Sequence, residues 1–168
     1  SIDDDQEELI KRNDLKKRIG ESGLVVLDLL DRVPEGTHVF VDNYFGSIGL
    51  LREMTSRGYD LTCTLRANRI GDCPIESEKA MKKRQRGYFD YRLSKDKKMI
   101  IVGWYDNRRV LLGSNAIGIE PLTSLSRWDR KQKQKIPIDT PQIVRLYNKN
   151  MGSVDSVDMF CALHPIPF

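Results

Sequence analysis

The chain has 168 residues, of which 39% are hydrophobic and 31% are charged. This length suits one domain, or one domain with an insertion, and the apolar content is too high for a disordered chain. No apolar run approaches the roughly 20 residues that cross a bilayer, which excludes a membrane-spanning protein. The acidic N-terminus has no apolar core, so we expect no secretory signal, and because it lacks an initiator methionine we expect a longer parent chain.

The net charge of +4 conceals segments of opposite charge. Residues 1–65 contain 8 Lys and Arg against 13 Asp and Glu, a net charge of −5, whereas residues 66–150 contain 20 against 9, a net charge of +11. Residues 151–168 add −2. A dense positive block attracts polyanions such as nucleic acids. It also keeps a protein surface solvated, so charge alone leaves nucleic-acid binding and solubility as equal explanations.

The cysteines and histidines do not form a recognisable metal motif. Cys63, Cys73 and Cys161 fit no CxxC pair and no metal-ligand spacing. Their odd number argues against a disulfide framework and predicts a reducing compartment. His38 and His164 lie far apart in the sequence, so we expect no zinc site.

The first half of the chain predicts alternating helices and strands, which is typical of an α/β fold. In order, it predicts a weak helix or mobile arm over 1–23, a helix over 24–33, a strand within 38–45, a helix over 48–57 and a strand over 59–65. Val39, Phe40 and Val41 are β-branched or aromatic, which predicts a strand buried on both faces near the centre of a sheet. Ser47 is the predicted N-cap of the helix over 48–57.

The second half is basic and β-rich before it returns to helix. It predicts a hairpin over 87–93 and 99–105, a third strand over 110–112, a basic Gln-rich connector over 126–141, and helices over 142–150 and 154–163. We therefore predict an α/β core interrupted by a small β-rich insertion. The predicted core halves are 24–69 and 142–168, and the predicted basic insertion is 70–141.

Three aspartates are candidates for metal binding. Asp42 follows a predicted strand, and ligands of α/β sheets bind where strands end. Asp155 and Asp158 are spaced i, i+3 on one helix face and can present oxygens to one cation. Each has a plainer explanation, because Asp42 suits a turn or a helix cap and Asp155 suits the first turn of a helix. If these sites came together, they could hold Mg²⁺ for phosphodiester chemistry.

The basic block supplies candidates for contacts with nucleic acid, because turns project charged side chains outward. The candidates are Arg66, Arg69, Lys82, Lys83, Arg84, Arg108, Arg109, Arg127, Arg130 and Lys131. Six aromatic residues of the same region could stack on bases, although aromatic residues of a hairpin more often form its own core. These six are Tyr88, Phe89, Tyr91, Trp104, Tyr105 and Trp128.

Several segments together resemble the piggyBac transposase family, including its domesticated members. The matching segments are His38-Val-Phe-Val-Asp-Asn-Tyr-Phe-Gly-Ser47, Thr64-Leu-Arg-Ala-Asn68, Val102-Gly-Trp-Tyr-Asp-Asn107, Arg127-Trp128 and, between Pro141 and Asp158, Tyr147-Asn148 and Met151-Gly-Ser-Val-Asp155. Each is weak by itself. Their order and spacing over residues 24–160 carry the resemblance.

The resemblance implies a ribonuclease H-like core with a β-rich insertion, incomplete here at its N-terminus. It implies cut-and-paste DNA transposition by DDE/D-type phosphoryl transfer, with a two-ion site for Mg²⁺ or Mn²⁺ in the complete parent protein. Asp42 matches the second catalytic aspartate, Asp155 the third, and Asp158 a further acidic position of the metal-binding helix. The resemblance implies that the protein binds double-stranded DNA and is located in the nucleus. It allows a homodimer, and it implies neither a membrane nor a small-molecule cofactor as a partner.

Three departures from the family pattern qualify this expectation. No residue of 1–23 matches the first catalytic aspartate, because its acidic residues lie in a polar, helix-like stretch rather than a strand. The usual Gly-Gly-Val-Asp is Gly-Ser-Val-Asp at 152–155, and a cysteine-rich zinc module is absent from the sequence. We expect this chain to be inactive alone and active within a longer parent. The alternatives are a non-catalytic DNA- or chromatin-binding module that uses the basic insertion, and a protein-interaction module.

Overall fold

A computed structural model describes the backbone of residues 2–163 and the side chains of residues 3–152. In chain order, the elements are α1 (Ile2–Leu30), β1 (His38–Val41), α2 (Ile48–Ser56), β2 (Asp60–Leu65), α3 (Glu78–Met81), β3 (Phe89–Leu93), β4 (Ile100–Tyr105), β5 (Arg109–Ser114), β6 (Thr123–Asp129), β7 (Gln134–Thr140) and α4 (Gln142–Leu163). A short 3₁₀ helix covers Ala67–Arg69. Within this part of the chain, no helix has the length and apolarity needed to cross a membrane.

Five strands form one mixed sheet in the order β1-β2-β5-β4-β3. Strand β1 is parallel to β2, and His38 lies opposite Asp60. The other neighbouring strands are antiparallel. The predicted α/β class is therefore confirmed, and strands β3 to β5 of the predicted insertion extend the sheet that β1 and β2 begin. The division into core halves and an insertion stays a prediction.

Two apolar clusters cover the two faces of the sheet. On one face, α1 and α2 pack through residues such as Leu27 and Leu51 against β2 and β4. On the other face, α4 and the β6–β7 hairpin pack against alternate residues of β4, through residues such as Ile138 and Ile143. This alternation is the period of two that a sheet covered on both faces requires.

The structure corrects four predictions. Strand β1 lies at the edge of the sheet within residues 2–163, and its four residues are half-buried rather than buried on both faces. The segment predicted as a connector over 126–141 contributes to the β6–β7 hairpin, because inward Ile136 and Ile138 alternate with exposed Lys135, Pro137 and Asp139, and the proline and the charges hide the strand pattern. The helices predicted over 142–150 and 154–163 form the single helix α4. The two predicted N-terminal segments are both helical and together form α1, but the break between them lies at Gly20, where φ is 76°, rather than at Gly23.

Asn115 joins β5 to the start of β2. Its Oδ1 accepts a hydrogen bond from Leu61 N at 2.7 Å, and its Nδ2 donates to Tyr59 O at 2.8 Å and to Thr55 Oγ1 at 2.9 Å. We expect Asn115→Ala to lower the free energy of unfolding by about 2 kcal/mol, because it leaves buried backbone groups unsatisfied. Urea unfolding measures this loss. Asn107→Ala, on an exposed turn, is the control, and equal stabilities of the two variants would contradict the expectation.

His38 makes stability depend on pH. Its Nε2 lies 2.7 Å from Thr62 Oγ1, and burial lowers the pKa of His38 below 6.5, against a smaller opposing effect of Asp60. Below about pH 6.5 the unfolded chain therefore binds a proton that the folded chain does not, and stability falls as the pH decreases. We expect urea midpoints to fall between about pH 7.5 and about pH 5.5, and less steeply in His38→Gln. Parallel profiles of wild type and variant would show that His38 is not the cause.

Candidate functional site at the carboxyl end of β1

Asp42 directly follows β1, where the sequence places it. Its Oδ1 accepts a hydrogen bond from Tyr44 N at 2.9 Å, and its carbonyl oxygen accepts one from Gly46 N at 2.9 Å. The turn interpretation of Asp42 is thus confirmed. The side chain is nevertheless exposed, and Oδ2 has no hydrogen-bond partner among residues 3–152. One carboxylate oxygen is therefore accessible to a cation.

The loop that carries Asp42 is held on both sides. Ser47 caps α2 as predicted, because its Oγ accepts a hydrogen bond from Leu50 N at 3.0 Å. Arg69 reaches over from the 3₁₀ helix, and its Nη1 donates to Tyr44 O at 2.8 Å. These contacts fix the backbone around Asp42 without using its free oxygen, which is the kind of support that a preorganised site needs.

Helix α4 approaches the same strands. Ile143, Val144 and Tyr147 belong to the cluster against which Phe40 of β1 packs, and Tyr147 Oη lies 3.2 Å from Thr64 Oγ1 of β2. Asp155 and Asp158 lie further along this helix, but their side chains are outside the described residues. Their approach to Asp42 therefore stays a prediction.

Of the three aspartates predicted to bind a metal ion, Asp42 is the one whose side chain lies within the described residues. Within residues 3–152, no three His, Cys, Asp or Glu side chains are grouped so as to hold a metal ion. The N-terminal aspartates Asp3, Asp4, Asp5 and Asp14 are exposed on α1, not on a strand, in agreement with their helix-like sequence. Asp42 itself fits a divalent cation, because an accessible carboxylate oxygen at a strand end is a ligand that Mg²⁺ prefers.

A cavity of about 470 Å³ lies beside the Asp42 loop, between that loop and the break in α1. Arg18, Tyr44, Ser47 and Arg69 are among its lining residues. The sequence contains no signal that singles out Arg18 or Tyr44, because the cavity that they line forms where the break in α1 at Gly20 lies against the loop after β1.

The predicted nucleic-acid contacts divide into two groups. Four arginines are engaged within the fold: Arg69 with Tyr44 O, Arg109 with Glu76 O at 2.9 Å, Arg84 over the Tyr88 ring at 4.9 Å, and Arg127 with Asp106 at 3.5 Å. The remaining six are exposed and form no ion pair among residues 3–152: Arg66, Lys82, Lys83, Arg108, Arg130 and Lys131. These six are the cations that a polyanion can reach.

The aromatic residues of the basic block include both core residues and exposed residues. Trp104 is 4% exposed and its Nε1 donates to Asp139 O at 2.9 Å, and Phe89 packs against the same cluster, so both are core residues. Tyr91 is 46% exposed and Trp128 is 58% exposed. The hairpin-core interpretation is therefore wrong for these two.

The buried thiol beside this loop is chemically inert, as its apolar strand predicts. Cys63 is buried in β2, and desolvation raises its pKa to about 12. A thiol with this pKa stays protonated at neutral pH and is a poor nucleophile. Cys63 is therefore a core residue rather than a reactive group of this site.

Comparison with known proteins identifies relatives over most of the chain. Residues 5–166 match a family model described as Transposase IS4. The human PiggyBac transposable element-derived protein 3 is 40% identical over 130 residues, which are 77% of this chain and 22% of that protein. The human PiggyBac transposable element-derived protein 2 is 32% identical over 148 residues, 86% of this chain and 25% of that protein. The chain thus spans a quarter or less of these curated relatives.

A solved structure has the same fold over the matched part. The cryo-EM structure of a piggyBac transposase synaptic complex with hairpin DNA matches 84% of this chain and 27% of that chain, with a TM-score of 0.60 and 21% identity. The arrangement of helices and strands described above is therefore shared with a transposase.

Proposed function

Because this chain belongs to the piggyBac transposase family, we propose that it forms part of a catalytic core that cleaves and transfers DNA strands within a longer parent chain. We propose that this catalytic core has a ribonuclease H-like fold. The observation that carries the proposal is the position of Asp42, exposed at the carboxyl end of β1 with one oxygen free. The family relationship supports the reaction class, and Asp42 offers it an accessible oxygen ligand.

Asp42 and Asp155 are the proposed ligands of divalent ions, with Asp158 as a further acidic group on α4. When bound, Mg²⁺ or Mn²⁺ would activate the attacking oxygen and stabilise the leaving oxygen of the phosphodiester. Asp42 contributes a fixed negative charge, because its turn and the Arg69 contact hold the loop in place. The first catalytic aspartate of the family lies on a strand, and the acidic residues of α1 do not, so we propose that another part of the parent supplies the third carboxylate.

The proposed partner is double-stranded DNA. The six exposed cations without ion pairs are available for phosphate contacts, and each phosphate contact releases counterions. A nuclear location follows from this proposal, because the substrate is there. A homodimer is compatible with this proposal, and a measurement of molecular mass in solution tests it.

The experiment is a plasmid-nicking assay with a chain extended upstream to include a preceding strand. We expect nicking of supercoiled DNA in Mg²⁺ or Mn²⁺, and none with a chelator or with the 168-residue chain alone. Nicking that persists in the chelator would overturn the metal-dependent mechanism.

A second candidate is a non-catalytic DNA- or chromatin-binding module. The observation that favours it is the net charge of +11 over residues 66–150, which is independent of the carboxylates. Its signature is a salt dependence of DNA affinity, with about 0.9 in the slope of log K against log salt for each phosphate contact. A steep slope together with no nicking by the extended chain would favour this candidate, and a flat slope would exclude it.

A further inference from the structure

The β6–β7 hairpin exposes Trp128 on a face that has no apolar core. Directly opposed residues of an antiparallel pair lie on the same face, and Trp128 is opposite Lys135. The apolar residues Leu125 and Ile138 form another opposed pair on the inward face, which packs on the sheet. Packing within the hairpin therefore does not explain why a large aromatic side chain, 58% exposed, occupies position 128.

Trp128 lies in a stretch of the hairpin that is rich in exposed cations. Arg130, Lys131, Lys133 and Lys135 are exposed and make no ion pair with any other residue in 3–152. The acidic residue of this stretch, Asp129, is engaged in the turn, where its Oδ1 accepts hydrogen bonds from Lys131 N and Gln132 N, each at 2.8 Å. The surface around the indole thus matches an anionic partner. The core of a protein–protein interface, in contrast, is depleted in charged residues.

The backbone of Trp128 is anchored to the rest of the molecule. Its carbonyl oxygen accepts a hydrogen bond from Arg86 Nη1 at 3.1 Å. Arg86 Nε in turn donates to Asp106 Oδ1 at 2.8 Å, and Arg127 Nε lies 3.5 Å from Asp106 Oδ2. An indole on an anchored strand loses less conformational entropy on binding than one on a free loop.

We propose that this hairpin binds DNA strands that contain unpaired bases, with Trp128 stacked on one base and Arg130, Lys131 and Lys133 on the flanking phosphates. The faces of bases inside a duplex are already stacked on their neighbours, whereas an unpaired base offers a free face to an aromatic ring. The inference rests on the proposed action on DNA, but it does not depend on metal-dependent cleavage or on Asp42.

The test compares a labelled single strand of about 12 nucleotides with a blunt duplex of the same sequence, by fluorescence anisotropy with the full 168-residue chain. We expect Trp128→Ala to weaken binding of the single strand by about 5- to 150-fold, and binding of the duplex by less than about twofold. Trp128→Phe, which keeps an aromatic face, should retain most of the affinity. Leu93→Ala removes a similarly exposed apolar side chain, on β3 outside the hairpin, and should change neither affinity.

The charged residues give a separate readout. Lys131→Gln should lower the salt slope of single-strand binding by about 0.7, whereas Trp128→Ala should leave the slope unchanged. Unaltered far-UV circular dichroism and emission from buried Trp104 would show that each variant is folded. If Trp128→Ala binds the single strand as tightly as wild type does, or loses affinity for the single strand and the duplex by the same factor, the stacking proposal fails and the proposal of DNA binding stands. If wild type binds neither DNA, both proposals fail for this chain.

Discussion

Asp42→Asn is expected to reduce metal-dependent strand cleavage by the extended chain at least about 1000-fold, while the fold stays intact. The amide oxygen of asparagine can still accept the hydrogen bond from Tyr44 N, so the turn after β1 is preserved. What is lost is the negative charge at the free oxygen, and a bound metal contributes several kcal/mol to the stabilisation of the transition state. A 1000-fold rate decrease corresponds to about 4 kcal/mol. The measurement is the initial rate of plasmid nicking. Asp155→Asn should decrease this rate to a similar extent.

Asp60→Asn is the matched control for this experiment. Asp60 is also exposed, but it lies at the start of β2, opposite His38 and thus at the other end of the parallel strand pair. Neutralising it should leave the cleavage rate within about twofold, because screened charges at this distance interact weakly. Cleavage by Asp42→Asn within tenfold of wild type would remove Asp42 from the proposed catalytic site.

Gly46→Ala is expected to lower the free energy of unfolding by about 3 kcal/mol, the largest stability effect that we predict. A Cβ at this position would clash with the carbonyl oxygen of Thr64 and would lie 3.1 Å from Cβ and Sγ of Cys63. Neither contact can relax cheaply, because Thr64 lies in β2 and is paired with Leu112 of β5. Urea unfolding measures the loss, and the displaced loop should also reduce cleavage by the extended chain.

Gly118→Ala is the control for the glycine prediction. A Cβ at Gly118 would meet no heavy atom within 4 Å, and the residue does not adopt a positive φ. This variant should change stability by less than about 0.5 kcal/mol, or raise it slightly because alanine restricts the unfolded chain. Equal destabilisation by both substitutions would show that the approach of Gly46 to β2 is not the cause.

The local features of the site could be predicted because they depend on neighbouring residues. Val39, Phe40 and Val41 predict the strand, Ser47 predicts the cap of α2, and Asp42 falls between them at the strand end. Each of these needs only short-range geometry, such as a side-chain oxygen within reach of a backbone N–H a few residues away. The two readings of Asp42, turn residue and metal ligand, are compatible, since the turn uses one oxygen and leaves the other.

The features that could not be predicted depend on which segments meet. The sequence around Trp128 contains so many Lys and Gln residues that its alternation resembles a connector, and the hairpin becomes visible only when β6 pairs with β7. Arg69 and Arg109 look like cations for a partner, yet backbone carbonyl oxygens more than twenty residues away accept their hydrogen bonds. No local pattern specifies contacts at such separations.

The amino-acid sequence by itself determined the α/β class, the family and the position of Asp42 at a strand end, because periodicity, caps and short motifs are properties of adjacent residues. Only the tertiary structure decided that β1 is an edge strand, that four candidate arginines are engaged within the fold, and that Trp128 faces solvent among unpaired cations. The reason is physical: exposure and pairing are set by the long-range packing of β4, β5 and the β6–β7 hairpin, in which residues distant along the chain compete for the same space and the same hydrogen bonds.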